Sequence, residues 1–212
     1  MSAPIRIYDI SLGRCPLLGP ALYVWVQGCD KHCRGCINSE AREMDSVCDL
    51  MSPEQIAARF EALPINLVLS GGEPFLQSRG LSRLCSMVRR IRSETRILCY
   101  TGYTLDELLK DRTRQSVAFL RQIDVLVDGP FIESRLTDDP LIGSDNQRII
   151  LFSNRVSEKE VKRVRRPSIQ IQWTAERRIR LVGTGMARVG MQQLVDCLES
   201  NRLIFKGDVD NA

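Results

Sequence analysis

The sequence predicts an α/β protein, an open partial (β/α) barrel with a small C-terminal β-hairpin and helix extension. Three observations predict it. Short apolar, β-branched runs alternate with amphipathic stretches, the order that gives right-handed crossovers and a parallel sheet. About five such runs fall in roughly the first 150 residues, too few for the eight-stranded barrel, whose usual length is about 250 residues. Ser168 to Trp173 and Arg177 to Val182 then alternate like a hairpin around Thr174-Ala175-Glu176. A helical stripe of Met191, Leu194, Val195 and Leu198 follows them.

Each element has its own signal. Leu22 to Gln27 is the first core strand, and it delivers a cysteine-rich loop at its end. Ser52 caps a helix, with Pro53 in its first turn, Gln55 closing a capping box, and Ile56, Phe60 and Leu63 as its apolar stripe. Residues 65–70 read as a buried strand that runs into Gly71-Gly72-Glu73-Pro74. The next helix, Leu81 to Ile91, puts Leu81, Leu84, Cys85 and Val88 on one face, so Cys85 is a packing residue. The strand Arg96 to Tyr100 buries Cys99. Thr104 and Glu107 form a second capping box, and a further helical stretch lies near Gln115 to Arg121. Ile123 to Asp128 and Gln147 to Phe152 are the fourth and fifth strands. Arg155 to Arg166 is charged enough to be a solvated helix or linker. The chain therefore divides into a core, residues 1–154, and an extension, residues 155–212, made of a basic linker, hairpin and helix.

Composition bounds the class. With 212 residues, 43% of them hydrophobic, the chain can bury one sizeable core. No stretch approaches the roughly 18 apolar residues that cross a membrane. Met1-Ser2-Ala3-Pro4 is no export leader, and the eight cysteines lack a secreted-domain pattern, so the expected location is a reducing cytoplasm. From residue 155 onward there are 12 Lys+Arg against 7 Asp+Glu, whereas residues 1–154 carry 18 against 19. The basic excess lies in the extension. Such a surface attracts nucleic acid, acidic proteins or phosphorylated ligands alike. No nucleic-acid-binding signature accompanies it, so solvated charge is the simpler reading and nucleic acid the weaker alternative.

Chemistry concentrates in Gly28-Cys29-Asp30-Lys31-His32-Cys33-Arg34-Gly35-Cys36. Three thiolates this close can grip one face of an iron–sulfur cube while leaving its fourth iron open to another ligand. A zinc knuckle would need His32, but adjacent residues such as His32 and Cys33 rarely both reach one tetrahedral ion. An odd count without a secretory leader argues against disulfides. Cys15, Cys48 and Cys197 carry no assignment. In the second motif, Gly71 and Gly72 let a ligand approach backbone at a strand's carboxyl end, Glu73 suits a cationic amino group, and Pro74 stiffens the turn. An ordinary strand-to-helix loop explains each residue singly, but not their order after a three-cysteine loop.

The cysteine spacing, three residues and then two, followed by Gly-Gly-Glu-Pro, resembles the radical S-adenosylmethionine (SAM) enzymes. Three later segments narrow the resemblance. Tyr100-Thr101-Gly102-Tyr103-Thr104-Leu105-Asp106-Glu107-Leu108, Val125-Leu126-Val127-Asp128-Gly129-Pro130-Phe131 and Gly143-Ser144-Asp145-Asn146-Gln147-Arg148 are similar, in order, to stretches of the anaerobic ribonucleoside-triphosphate reductase activating proteins. Gly35 before the third cysteine is also typical of that family, and the likeness spans roughly residues 5–152. The chain departs from it at Ile37, where an aromatic is common, and in its long extension.

The resemblance implies a partial barrel of the radical SAM type, with a [4Fe–4S] cluster and SAM as cofactors. Cys29, Cys33 and Cys36 would ligate the cluster, and Gly71, Gly72, Glu73 and Pro74 would hold the methionyl end of SAM. Backbone of Gly35 and Ile37 would touch SAM as well. Thr101 and Asp128, ending neighbouring strands, are candidates for ribose or carboxylate contacts. Ser144 and Asn146 would close the adenosine side or meet the partner, with turn and cap roles as their alternative. The implied reaction is reductive cleavage of SAM to methionine and a 5′-deoxyadenosyl radical. That radical takes a hydrogen from a glycine of a glycyl-radical enzyme, an anaerobic ribonucleotide reductase. The electron would come from a flavodoxin- or ferredoxin-like donor. Two alternatives remain: a radical SAM enzyme acting on a small molecule or peptide, and a non-catalytic iron–sulfur redox or scaffold protein.

Overall fold

Strand β1 (Ile5–Cys15) turns back into β2 (Gly19–Val26), and after the cysteine loop come β3 (Asp49–Met51) and helix α1 (Pro53–Glu61). Next are β4 (Asn66–Gly71), α2 (Ser78–Ile91), β5 (Ile97–Tyr100), α3 (Leu105–Lys110), α4 (Gln115–Leu120) and β6 (Val125–Asp128). The order closes with β7 (Arg148–Leu151), α5 (Glu158–Arg163), β8 (Gln170–Trp173) and β9 (Ile179–Val182). This computed structural model describes residues 3–61, 66–110, 115–164, 170–173 and 179–182.

The main sheet has seven strands in the order β3-β1-β2-β4-β5-β6-β7. Its four central strands, β2, β4, β5 and β6, run parallel in register, with Val26 beside Gly71 and Tyr100 beside Val127. The edges are antiparallel: β1 pairs with β2 and with β3, and β7 pairs with β6. Those edges correct the expectation of an all-parallel sheet of about five strands. β1 was hidden because Arg6, Asp9 and Arg14 interrupt its apolar positions and a bulge between Ile7 and Asp9 breaks the alternation. β7 reverses because the connection from Asp128 to Arg148 holds only a 3-10 turn, Glu133–Arg135. A parallel return usually crosses the sheet through an α-helix, which this connection lacks.

Period-two alternation sorts the strands' side chains between two cores. Leu22, Val24, Val26, Leu67, Leu69, Ile97, Cys99 and Leu126 face α1, α2 and α4, where Ile56, Phe60, Leu84, Cys85 and Phe119 complete the packing. Tyr23, Trp25, Val68, Leu98 and Val125 face the other way and meet Cys15, Leu141 and Val156. The expected capping boxes form: Ser52 N–H donates to Gln55 Oε1 at 2.7 Å, and Thr104 N–H to Glu107 Oε2 at 2.6 Å. Ser157 and Glu160 form a third. Asp124, fully buried, accepts from Ile97 N–H at 2.8 Å, Arg89 Nη2 at 3.0 Å and Ser153 Oγ at 2.5 Å, tying β5, α2 and the segment after β7 together.

The segment expected as a solvated helix or linker forms the helix α5, which buries no residue of its own, and its flanks are built into the fold. Val156 is buried in the second core, Val161 and Val164 pack on it, and Glu160 pairs with Arg96 at 3.1 Å. β8 and β9 pair antiparallel, Gln170 opposite Val182, as the alternation predicts, and β8 lies against β1. The helical stripe from Met191 to Leu198, and Cys197, fall outside the described residues. Among the described residues no helix is long and apolar enough to cross a membrane.

Candidate functional site

All four central strands end on the same side of the sheet, and each is followed by one of the sequence motifs. β2 runs into the cysteine loop, β4 into Gly72-Glu73, β5 into Thr101-Gly102-Tyr103, and β6 into Gly129-Pro130. Ligand sites of parallel sheets form at this end. One cavity opens there, lined by Cys29, Cys33, Cys36, Gly35, Ile37, Gly71, Gly72, Glu73 and Thr101. Its floor is the sheet face carrying Tyr23, Trp25 and Tyr100, with Tyr23 and Trp25 stacked at 5.7 Å between ring centroids.

The cysteine loop and the glycine loop are fastened directly to one another. Glu73 N–H donates to the Gly28 carbonyl at 2.8 Å, and Gly72 N–H to that of Val26 at 2.7 Å. Beyond the cysteines the chain returns, so that Gly28 N–H reaches the Ala41 carbonyl at 2.8 Å and Cys29 N–H that of Arg42 at 2.9 Å. A Cβ on Gly72 would lie 2.3 Å from the Gly28 oxygen and 2.7 Å from that of Ala41. The glycine is therefore demanded by protein backbone packing against it. Gly35, at φ +67°, turns the chain between the second and third cysteines. Gln27 Nε2 binds the Glu43 carbonyl at 2.8 Å and anchors the far end of the returning segment.

Glu73 is the pivot of the cavity wall. It is buried, with Oε1 accepting from Phe75 N–H at 2.9 Å and Thr101 Oγ1 at 2.8 Å, and Oε2 from Gly102 N–H at 2.8 Å. These donors are neutral. Burial pushes its carboxyl up to about 7, even though the hydrogen bonds pull the other way. Burial likewise raises the Cys29 thiol to about 11, so a lone thiolate is disfavoured there, whereas a bound metal centre favours it. Tyr103 hydrogen-bonds Asp30, and Lys31 Nζ sits 3.9 Å above its ring, so the Thr-Gly-Tyr loop braces the cysteine loop.

The remaining candidate residues lie off the cavity. Pro74 is buried at the start of the 3-10 turn after Glu73. Asp128 accepts from Leu105 N–H at 2.7 Å and pairs with Arg148, whose Nε is 2.9 Å away. Ser144 Oγ accepts from Ile132 N–H at 3.1 Å, and Asn146 Nδ2 donates to the Pro130 carbonyl at 2.7 Å. Neither lines the cavity, but Gln147 beside them does, donating to the Gly129 carbonyl at 3.0 Å. Sequence reasoning passed over Gln147, Lys31, Arg42, Tyr23 and Trp25 as wall residues. The strand alternation that separates Tyr23 and Trp25 from Leu22 and Val24 was the available signal for those two.

Cys29, Cys33 and Cys36 share one cavity, and three thiols from one loop are a donor set that fits an iron–sulfur cluster with one open iron. A buried carboxylate with only neutral donors fits the ammonium of SAM, which would return the missing positive charge. Both cofactors fit the residues present.

A family profile described as a 4Fe-4S single cluster domain matches residues 18–150. The chain is 35% identical over 144 residues to the anaerobic ribonucleoside-triphosphate reductase-activating protein of Haemophilus influenzae, covering 63% of this chain and 89% of that one. With the protein of that name from Vibrio cholerae it shares 36% over 159 residues, 70% of this chain and 97% of that one. The equivalent from Enterobacteria phage T4 is 29% identical over 154 residues, 70% and 92% of the two chains. Among solved structures, QueE from Escherichia coli superposes at a TM-score of 0.40 with 17% identity, over 48% of this chain and 54% of that chain.

Proposed function

The chain belongs to the anaerobic ribonucleoside-triphosphate reductase-activating proteins, and from that membership we propose that it is a radical SAM activase of an anaerobic ribonucleotide reductase. The observation that carries the reading is the meeting of the cysteine, Gly-Gly-Glu-Pro and Thr-Gly-Tyr loops around one cavity at the carboxyl ends of four parallel strands. When bound, the cluster and SAM would supply the chemistry, one-electron reductive cleavage of the sulfonium and removal of a hydrogen from a glycine of the partner.

The chain's own residues bind, orient and exclude water. Cys29, Cys33 and Cys36 hold the cluster from one loop, which Gly35 turns and the Ala41 and Arg42 carbonyls fasten. Glu73 would receive the amino group of SAM, and Thr101 and Gly102 hold the Glu73 carboxylate in place by donating to it. The buried wall around it excludes water, which strengthens that pairing. Gly71 and Gly72 keep this loop pressed on the cysteine loop, Pro74 starts the turn behind it, and backbone at Gly35 and Ile37 borders SAM. Asp128 would serve the ribose or carboxylate indirectly, by holding Arg148 and the start of α3, and Ser144 and Asn146 would close the adenosine side or meet the partner through the loop that carries Gln147.

The sheet is read as an open partial barrel because helices α1, α2 and α4 cover one face while the cavity lies on the other. The core and extension remain distinct units in this reading, with packing of the core carried on to Val164. The partner is a glycyl-radical enzyme, the electron donor is flavodoxin- or ferredoxin-like, and the setting is the cytoplasm, where cysteines stay reduced. Anaerobic reduction of the cluster-loaded protein with SAM tests the function. It should yield 5′-deoxyadenosine, and a glycyl-radical signal should appear on the added reductase. Absence of 5′-deoxyadenosine from fully cluster-loaded protein overturns the reading.

A further inference from the structure

Past Arg42 the chain leaves the cavity for the edge of the sheet, and there it keeps apolar side chains in water. Val47 is wholly exposed, Leu50 is 64% exposed and Met44 49%. Exposed acids stand among them, Glu43, Asp45 and Asp49, and among the described residues none of the three takes part in an ion pair. The segment is held in this shape by its backbone: Gln27 Nε2 donates to the Glu43 carbonyl at 2.8 Å and Arg6 Nη2 to that of Ser46 at 3.2 Å. It runs into β3, the edge strand, which among the described residues pairs with β1 alone. Acids by themselves would guard such an edge against stray pairing, but exposed apolar side chains set among them do the reverse.

The place of this surface says what covers it. Asp49 lies opposite Ile7 and Ile7 opposite Val26, the last residue of β2, so β3 starts at the end of the sheet where the cavity opens. Met44 Sδ lies 3.2 Å from where a Cβ on Gly28 would be, beside the first cysteine, and Ile37, half-exposed, carries the apolar run onto the cavity wall. A protein that brings a glycine to reacting distance inside this cavity must seat itself on the surface around it. We propose that residues 43–51 are the docking surface for the partner reductase, which meets them with apolar and basic side chains. Val47 and Leu50 are the apolar anchors, and Glu43, Asp45 and Asp49 attract the basic groups and repel acidic proteins.

This inference rests on the activase reading, and the test separates the two. Affinity of cluster-loaded, full-length protein for the intact reductase is measured by anaerobic calorimetry, with self-association and reductase-free formation of 5′-deoxyadenosine followed alongside. Val47→Asp combined with Leu50→Asp should lose roughly tenfold or more in reductase affinity and leave 5′-deoxyadenosine formation unchanged. Asp45→Lys combined with Asp49→Lys should also weaken binding, and that loss should shrink as salt is raised to about 1 M. Unchanged reductase affinity in the apolar variant overturns the docking surface and leaves the activase reading intact. So does lost self-association with reductase binding retained, which gives the face to a second copy of this chain. If the apolar variant sheds its cluster, the charge variant decides by its affinity at low salt. Wild-type protein that forms 5′-deoxyadenosine yet binds no reductase refutes the activase reading, and the proposal with it.

Discussion

Titrating SAM affinity against pH tests the role of Glu73. Burial holds its carboxyl at about 7 in the free protein, against an ordinary value of 4.5. Only roughly 3% of free molecules are ionised there at about pH 5.5, and roughly half at about pH 7. Pairing with the ammonium of SAM favours the carboxylate, and we take the bound group to return to its ordinary range. The free state then carries more protons than the complex, so affinity must rise with pH across this window. The expected gain is roughly fifteenfold, about 1.6 kcal/mol, with roughly 0.9 proton released on binding at about pH 5.5 and roughly 0.5 at about pH 7. The window stops below the titration of the α-amino group, about 7.7–8.0. Anaerobic calorimetry of the cluster-loaded protein, in two buffers of different ionisation enthalpy, reads both quantities. Glu73→Gln should bind SAM more weakly and with a flat profile. Proton uptake, or pH-independent affinity in the wild type, would refute the argument.

Further outcomes follow from the same contacts. Replacing Cys29, Cys33 or Cys36 by alanine should abolish the iron–sulfur absorption of reconstituted protein, whereas Cys85→Ala, in the helix-side core, should keep it. Gly72→Ala should destabilise the cluster-free chain by about 1–3 kcal/mol in denaturant and lower iron retention too, because the added carbon meets the Gly28 and Ala41 carbonyls. Asp124→Asn should cost about 3–5 kcal/mol by chemical unfolding, since it strips the buried partner of Arg89. A chain ending at Arg166 should keep the cluster and SAM cleavage while docking to the reductase more weakly. One ending at Phe152 loses Val156 and the Ser153 contact to Asp124, and should precipitate or shed iron.

The central strands were legible because both faces are buried, which writes a short unbroken apolar run such as Leu22 to Val26, and the helices because one face is, as with Leu81, Leu84, Cys85 and Val88. The capping boxes at Ser52 and Thr104 were legible because they need particular side chains three residues apart. The edges were not. β3 has three residues and no buried position, and pairing direction for β7 depends on a connection whose shape no local pattern encodes. At the site, the cysteine loop and Glu73 stood out through residue type and spacing. Arg42 did not, since one arginine among many carries no signal until the chain's return brings it under Cys33. The glycine pair was legible as a need for space, but the sequence could not say whether ligand or backbone would fill it.

The distances along the chain between the site's parts set an order in time. Thr101 and Gly102 reach Glu73 across 28 and 29 residues, and Tyr103 reaches Asp30 across 73. No single hairpin or helix contains two of these loops, so none can acquire its final shape during local folding. Gly72 can press on Gly28 only after β2 and β4 have paired, and Thr101 can fix Glu73 only after β5 has joined them. Such non-local pairings are the slow ones in folding. Until they form, the three cysteines belong to an unbraced loop of ordinary reactivity, open to oxidation and to stray metals. Iron delivery is therefore a late event that acts on an assembled sheet, and a chain trapped before β5 docks would have the ligands without the site.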